Sequence, residues 1–233
     1  MSSIELFQNK TDCCGCSACY NVCPRKAISM QKDEYGYVYP VIDQDKCVGC
    51  GLCRKVCHYQ ADKELRTPIK TYAAAGKKEE FLKKAASGGM FSLVADKILE
   101  EGGVVFGAAM EYHNNTLIPK HIAVESKEEL FKLQGSKYVQ SFIGNTYAEA
   151  KKYLADGRKV LFSGTPCQIE GLKGYLGREY ENLYTIDIIC HGVPNAKWFQ
   201  DYIKVFETKL QGSIYSYNFR DKSRGQGMNA RIE

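Results

Sequence analysis

"CCGCSACYNVCP", residues 13–24, places five cysteines within eleven consecutive positions. Inside it, Cys13-x2-Cys16-x2-Cys19-x3-Cys23-Pro24 follows the spacing with which bacterial ferredoxins hold iron–sulfur cubanes. The same spacing returns 34 residues later as Cys47, Cys50, Cys53 and Cys57, and the match extends to Gly15 with Gly49 and Val22 with Val56. This is an internal duplication. His58 stands where the first copy has Pro24, a departure that removes no ligand.

The spacing has a physical basis. Three thiols at two-residue intervals wrap a short loop about one cluster, with backbone N–H groups turned towards its sulfurs. The fourth thiol opens a short helix and reaches the other cluster. The expected ligand sets are Cys13, Cys16, Cys19 and Cys57 for one [4Fe–4S] cluster, and Cys47, Cys50, Cys53 and Cys23 for the second. Gly15, Gly49 and Gly51 let the backbone lie against the inorganic core. Cys14 breaks the spacing and reads as a bystander thiol. Disulfides would require an oxidising compartment, and structural zinc separates its cysteine pairs by a dozen residues or more. Between the copies, "DEYG" (33–36) reads as a turn and "YGYVYPVID" (35–43) alternates as a strand, predicting the hairpin of a two-cluster ferredoxin.

The 233 residues allow one large domain, or a large and a small one. No basic start followed by an apolar run opens the chain, and apolar runs such as "VVFGAAM" (104–110) are too short to span a bilayer. The expectation is a cytoplasmic protein without a membrane span. Net charge is +5, and two cluster sites of about −2 each would bring it to about +1. Nucleic-acid binding thereby loses its electrostatic support.

A charged stretch with Pro68, "ADKELRTPIK" (61–70), separates a ferredoxin domain (1–62) from the remainder (71–233) by a linker at 63–70. Beyond it, strands and helices alternate. "TYAAAG" (71–76) reads as a short strand. "SGGMFSLVADKILEEGG" (87–103) reads as a helix using Phe91, Val94, Ile98 and Leu99. "VVFGAAME" (104–111) and "HIAVES" (121–126) read as an antiparallel pair, and "GKKEEFLKKA" (76–85) as a solvated helix face. Ser126 with Glu129, and Thr146 with Glu149, read as capping boxes; Gly157 reads as a helix stop. "KVLFSG" (159–164), a helix capped by Thr165 with Pro166 at its first position, and "YTIDIIC" (184–190) form a strand–helix–strand unit, hence a parallel pair. Cys167 and Cys190 fall beyond the carboxyl ends of these strands, where open α/β sheets bind ligands. A helix over 195–210 and a strand "SIYSYNFRD" (213–221) follow, and the chain stops without a closing element, as a C-terminally truncated protein would. The expected fold is an α+β ferredoxin-like two-cluster N-terminal domain followed by an α/β domain with a mixed, partly parallel sheet.

"SGGMFS" (87–92), "GSKYVQS" (135–141), "FSGTPCQIEGLKGYL" (162–176) and "DIICHGVP" (187–194), in this order behind a two-cluster module, resemble the coenzyme F420 hydrogenase/dehydrogenase beta-subunit family. The resemblance covers nearly the whole chain. It implies FAD, iron–sulfur clusters, and electron or hydride transfer between the flavin and a substrate. Such proteins are usually longer, with a further cysteine-bearing segment after this point that would bear on the substrate pocket and on any third cluster. A flavin takes two electrons as hydride and releases them singly, so it converts between organic substrates and clusters.

On that implication, Ser87, Gly88 and Gly89 at a helix N-terminus are candidates for the FAD pyrophosphate, the alternative being a plain helix start with glycines for close packing. Ser136, Lys137 and Gln140 are further candidates; Lys137 would pair with a phosphate or stabilise reduced flavin, or stand as a solvated lysine. Thr165, Pro166, Cys167 and Gln168 complete the cofactor set. Cys167 reads first as a flavin-adjacent residue with a lowered thiol pKa, then as a ligand of an additional cluster, then as a packing cysteine. Cys167, Lys137 and Cys190 are the candidate catalytic residues. His113 and His121 read as ordinary surface or strand residues.

The expected function is that of an iron–sulfur flavoprotein oxidoreductase of anaerobic habit. It would work with ferredoxin or another oxidoreductase subunit and a small-molecule substrate. The alternatives are a conductor subunit without its own substrate and a non-redox scaffold with zinc.

Overall fold

The structure, a computed structural model, describes residues 4–60, 67–223, 225, 227 and 229–233. Of the expected linker, residues 63–66 lie outside the described residues; residues 67–70 are exposed and irregular.

The N-terminal module carries helix α1 (Ala18–Val22), strands β1 (Ile28–Lys32) and β2 (Val38–Ile42), and helix α2 (Leu52–Lys55). The strands pair antiparallel in the register Ile28↔Ile42 to Lys32↔Val38. Each cysteine loop enters its helix through a residue in the left-handed region, Ser17 at φ 64° and Gly51 at φ 73°. The duplication is thus structural as well as sequential.

Helices α3 (Glu79–Lys84) and α4 (Met90–Glu100) precede β3 (Val104–His113) and β4 (Thr116–Val124). After them come α5 (Thr146–Ala155), β5 (Val160–Gly164), α6 (Pro166–Leu176), β6 (Leu183–Asp187) and α7 (Ala196–Leu210), then the short β7 (Tyr217–Asn218) and β8 (Arg231–Ile232). The main sheet has the order β4-β3-β5-β6; β3 pairs antiparallel with β4 and parallel with β5, and β5 pairs parallel with β6. A mixed, partly parallel sheet is what the strand–helix–strand reading required.

Strand alternation sorts the core into two layers. Val104, Phe106, Val160 and Phe162 face α5 and α6, meeting Tyr147, Ala150, Ile169 and Leu172. Val105, Ala109 and Leu161 face the other way, against Ala95, Ile98 and Leu99 of α4 and Leu130 and Leu133. Ala18 and Val56 of the N-terminal module belong to the first layer. The module is therefore seated on the α5–α6 side of the sheet.

Four local expectations are corrected. Residues 71–76 form no strand; instead the Gly76 N–H donates to Gly88 O, holding the segment against the start of α4. Ser126 precedes a 3-10 helix (Lys127–Lys132) without a side-chain cap. Asn145, not Thr146, is the N-cap of α5, and Thr146 Oγ1 donates to Ile143 O instead. Of residues 213–221 only Tyr217–Asn218 pair as a strand, because aromatic packing of Phe199 with Tyr217 and Phe219 governs this stretch.

Candidate redox centre

Nine of the cysteines gather around two cavities, eight of them as two sets of four. One is lined by Cys13, Cys16, Cys19 and Cys57, with Cys14, Leu6, Met30 and Pro40. The other is lined by Cys23, Cys47, Cys50 and Cys53, with Ile4, Ile28 and Ile42. Each set of four thus takes three thiols from one loop and one from the other. Burial pushes the Cys13 thiol up to about 11, and raises Cys19 and Cys53 as well. Thiols buried in an apolar pocket, as Cys13, Cys19 and Cys53 are, resist ionisation unless a cation compensates them. An iron–sulfur cluster supplies that charge, so the donor sets fit the group.

The first cavity abuts helix α6. Thr165 caps this helix in a reciprocal box: the Thr165 N–H donates to Gln168 Oε1 at 3.0 Å while the Thr165 side chain accepts from the backbone of Gln168. The box fixes Cys167 in the first turn, its Sγ 3.1 Å from Thr165 Oγ1. Further along, two glycines allow contact with the module. A Cβ on Gly171 would stand 3.1 Å from Cys16 Sγ, and one on Gly174 would stand 2.4 Å from the Val56 carbonyl oxygen.

Cys14 lies at this junction. Its thiol is hydrogen-bonded to those of Cys16 and Cys167, which pushes Cys14 up. The same contacts lower Cys16 to about 5, helped by His58, and Cys167 to about 6, helped by Thr165. His58 Nε2 lies 3.9 Å from Cys14 Sγ, and its buried Nδ1 has no hydrogen-bond partner. Gln140 Nε2 donates to Cys14 O at 3.2 Å, tying the "GSKYVQS" segment to the cysteine loop.

The other candidates are placed as follows. Lys137 Nζ donates to the carbonyls of Lys132 and Gln134 at 3.1 and 2.7 Å, and burial lowers its pKa to about 7. Ser136 hydrogen-bonds the Tyr138 side chain. Gly89, at φ 72°, is the N-cap of α4 beside exposed Ser87, and a Cβ on Gly88 would meet Ala74 O at 2.7 Å. Cys190 Sγ accepts from the Gly192 N–H in the loop after β6.

Residues 12–61 match the model of the 4Fe-4S dicluster domain. Residues 71–145 and 157–231 match the models of the N-term and the C terminus of the coenzyme F420 hydrogenase/dehydrogenase beta subunit. The chain belongs to this family. It is similar to the coenzyme F420-dependent sulfite reductase of Methanocaldococcus jannaschii, 24% identical over 191 residues that make up 78% of this chain and 28% of the relative. Its ferredoxin part is similar to an uncharacterized ferredoxin of the same organism, 34% identical over 55 residues, 24% of this chain and 70% of that protein. Among solved structures it is similar to a chain of the F420-reducing [NiFe] hydrogenase complex from Methanosarcina barkeri, at 21% identity and a TM-score of 0.49, covering 72% of this chain and 63% of that one. Among the described residues no helix is long and apolar enough to cross a membrane.

In this chain of the F420 hydrogenase/dehydrogenase beta-subunit family, the "GSKYVQS" and "GTPCQ" motifs meet in a buried polar network. His121 of β4 is 1% exposed, and its Nε2 donates to Ser163 O at 2.9 Å. Ser141 Oγ donates to His121 Nδ1 at 2.8 Å and accepts from Gln168 Nε2 at 3.2 Å. The ring stacks on Phe162 at 5.4 Å. Such a histidine is held neutral: burial lowers it from 6.5 to about 4. Between these values the unfolded chain takes up a proton that the folded chain does not. The His121 contribution is therefore whole above pH 6.5 and is lost as pH falls to about 4, at a cost of roughly 3 kcal/mol. Urea unfolding from pH 7 to 4 should show this slope, and His121→Gln should flatten it. Composition offered no sign of this network, since its members lie far apart in sequence.

Proposed function

We propose that this chain is the electron-carrying part of an iron–sulfur oxidoreductase. Cys13, Cys16, Cys19 and Cys57 hold one [4Fe–4S] cluster, and Cys47, Cys50, Cys53 and Cys23 hold a second. Electrons pass between a ferredoxin-type carrier or partner subunit and an organic substrate or coenzyme F420. The observation that carries the reading is the sorting of eight thiols into two cavities, the first of which is pressed against α6.

FAD is the proposed intermediary at the carboxyl edge of the sheet, where it would supply exchange between hydride and single electrons. A phosphate beside Lys137 would favour the charged form that burial now disfavours. Lys137 and Ser136, with Ser87, Gly88 and Gly89, would hold the phosphates. Gln140, Thr165, Pro166 and Gln168 would shape the edge, Cys167 would lie next to the flavin, and Cys190 would line the substrate side. The conductor reading has an observation of its own: Gly88 O, Gln140 Nε2 and Gln168 already bond within the chain.

The test is anaerobic reconstitution with iron, sulfide and FAD, followed by metal, sulfide and flavin analysis. Iron and acid-labile sulfide at two cubanes per chain, with bound FAD, are expected. Two cubanes without flavin would leave the conductor, and zinc without sulfide would overturn both.

A further inference from the structure

The duplication supplies an internal control, because each position of the first cysteine loop has a counterpart in the second. In the first loop, Ser17 and Ala18 are 2% and 1% exposed. A Cβ on Gly15 would meet Val38 O at 2.7 Å and the Gln140 amide at 3.2 Å. Cys14 is half-buried in contact with Cys167. In the second loop the counterparts face solvent. Val48, in the place of Cys14, is 54% exposed, and Leu52, in the place of Ala18, is 39% exposed. Cβ positions on Gly49 and Gly51 meet nothing within 4 Å. Cys50, the counterpart of half-buried Cys16, is exposed. The α/β part covers one cluster loop and leaves its twin bare.

Positive charge predominates around the bare loop. Arg25 lines the cavity, and Arg25, Lys26, Lys46, Arg54 and Lys55 are all exposed. Against these five stand Glu5, Asp43 and Asp45 among the described residues, and Asp43 is already paired with Lys46 at 2.7 Å. Two exposed apolar side chains beside a redox group, within a basic rim, match the small interfaces of transient electron-transfer encounters, with an apolar centre and a polar edge.

We propose that the Cys47–Cys53 loop is the docking face for an acidic one-electron carrier protein. Val48 and Leu52 form its apolar centre, and Lys46, Arg54, Lys55 and Arg25 steer the partner's carboxylates. Electrons enter or leave at the outer cluster, and the inner one, under α6, faces the sheet. A small anion would have no use for the apolar centre. The inference rests on the two-cluster reading.

The experiment uses the whole chain reconstituted with iron and sulfide, and an acidic bacterial two-cluster ferredoxin as probe. The triple variant Lys46→Glu, Arg54→Glu, Lys55→Glu is compared with a control triple on the α/β part, Lys120→Glu, Lys204→Glu, Lys209→Glu. Iron content is measured on each. Binding is read by thermophoresis at several salt concentrations, and cluster reduction by stopped flow. The loop triple should keep its iron and weaken ferredoxin binding about tenfold or more at low salt, with a shallower salt dependence. Val48→Asp should weaken it at every salt concentration. The apparent KM for ferredoxin should rise while the limiting rate at saturation stays near that of the parent.

Loaded protein that binds ferredoxin equally well with and without the loop charges would overturn the docking face and leave the two clusters standing. So would equal weakening by the control triple, or equal binding of basic cytochrome c. A chain that takes up no iron would overturn the two-cluster reading and this inference with it.

Discussion

Cys53→Ser is expected to remove about half of the iron and acid-labile sulfide, from about eight irons per chain to about four. Cys53 is the most buried thiol of the second cavity, at 8% exposure, and it also packs with Leu6 and Ile28 in the module's small core. A serine hydroxyl at this place ionises far less readily than a thiol, so three thiolates would be left to grip a cubane that needs four. Cys14→Ser is the matched control. Cys14 sits among the same loops but outside both sets of four, so its variant should keep nearly all the iron. Anaerobic iron and sulfide analysis, with spectra of the reduced protein, distinguishes the two. Equal losses in both variants would mean that Cys14 is itself a ligand.

Gly174→Ala is expected to destabilise the protein, although the same exchange in a free helix would stabilise it by about 1 kcal/mol. The new methyl carbon would stand 2.4 Å from the Val56 carbonyl oxygen. That neighbour is backbone, which has no rotamer through which to retreat. Overpacking of this kind costs about 1–3 kcal/mol, and a clash with main chain lies at the upper end. The net loss of about 1–2 kcal/mol corresponds to a Tm lower by about 2–8 °C in a chain of this size. Gly174→Leu should go further and lift the module from α6. Limited proteolysis would then cut more readily between the module and the sheet, while iron content stays at its parent value. Alanine that raises the Tm would show that α6 and the Val56 turn do not meet in solution.

The contrast between these two variants marks how far the sequence could be read. Cluster-ligand spacing is local: thiols two and three residues apart must share a loop, whatever the rest of the chain does. The hairpin, the parallel pair β5–β6 and the Thr165 cap with Pro166 behind it are legible for the same reason, since strand alternation, a short crossover and a helix start each close within a window. Where local signals competed with packing they misled. Thr146 looked like a cap and became the first residue of a helix capped by Asn145. Residues 71–76 had strand-like composition, but their backbone bonds to Gly88.

The candidate site was legible only in part. Lys137, Cys167 and Gln168 were singled out by motif, but their partners were not. Lys137 spends its protons on two carbonyls of the preceding turn. Gln168 closes a cap and reaches Ser141. Cys14, read as a bystander, meets Cys167 of α6 at the junction of the module and the α/β part. His121, read as an ordinary strand residue, is the buried centre of the network beneath both motifs. The pairings of Gln168 with Ser141, of Cys14 with Cys167, and of His121 with Ser141 and Ser163 span stretches too long for any local window of sequence to contain them.

By itself the sequence determined that two equivalent sets of cysteine loops exist, and that strands and helices alternate behind them. Those are properties of neighbours along the chain, set by bond geometry and by alternation of apolar residues. Only the tertiary structure made the two loops unequal. It laid Gly171 of α6 against Cys16 of one loop and left Val48, Cys50 and Leu52 of the other in solvent. Which surface lies buried is decided by shape complementarity between distant segments, and a repeat that is symmetric in sequence carries no mark of which copy will be covered.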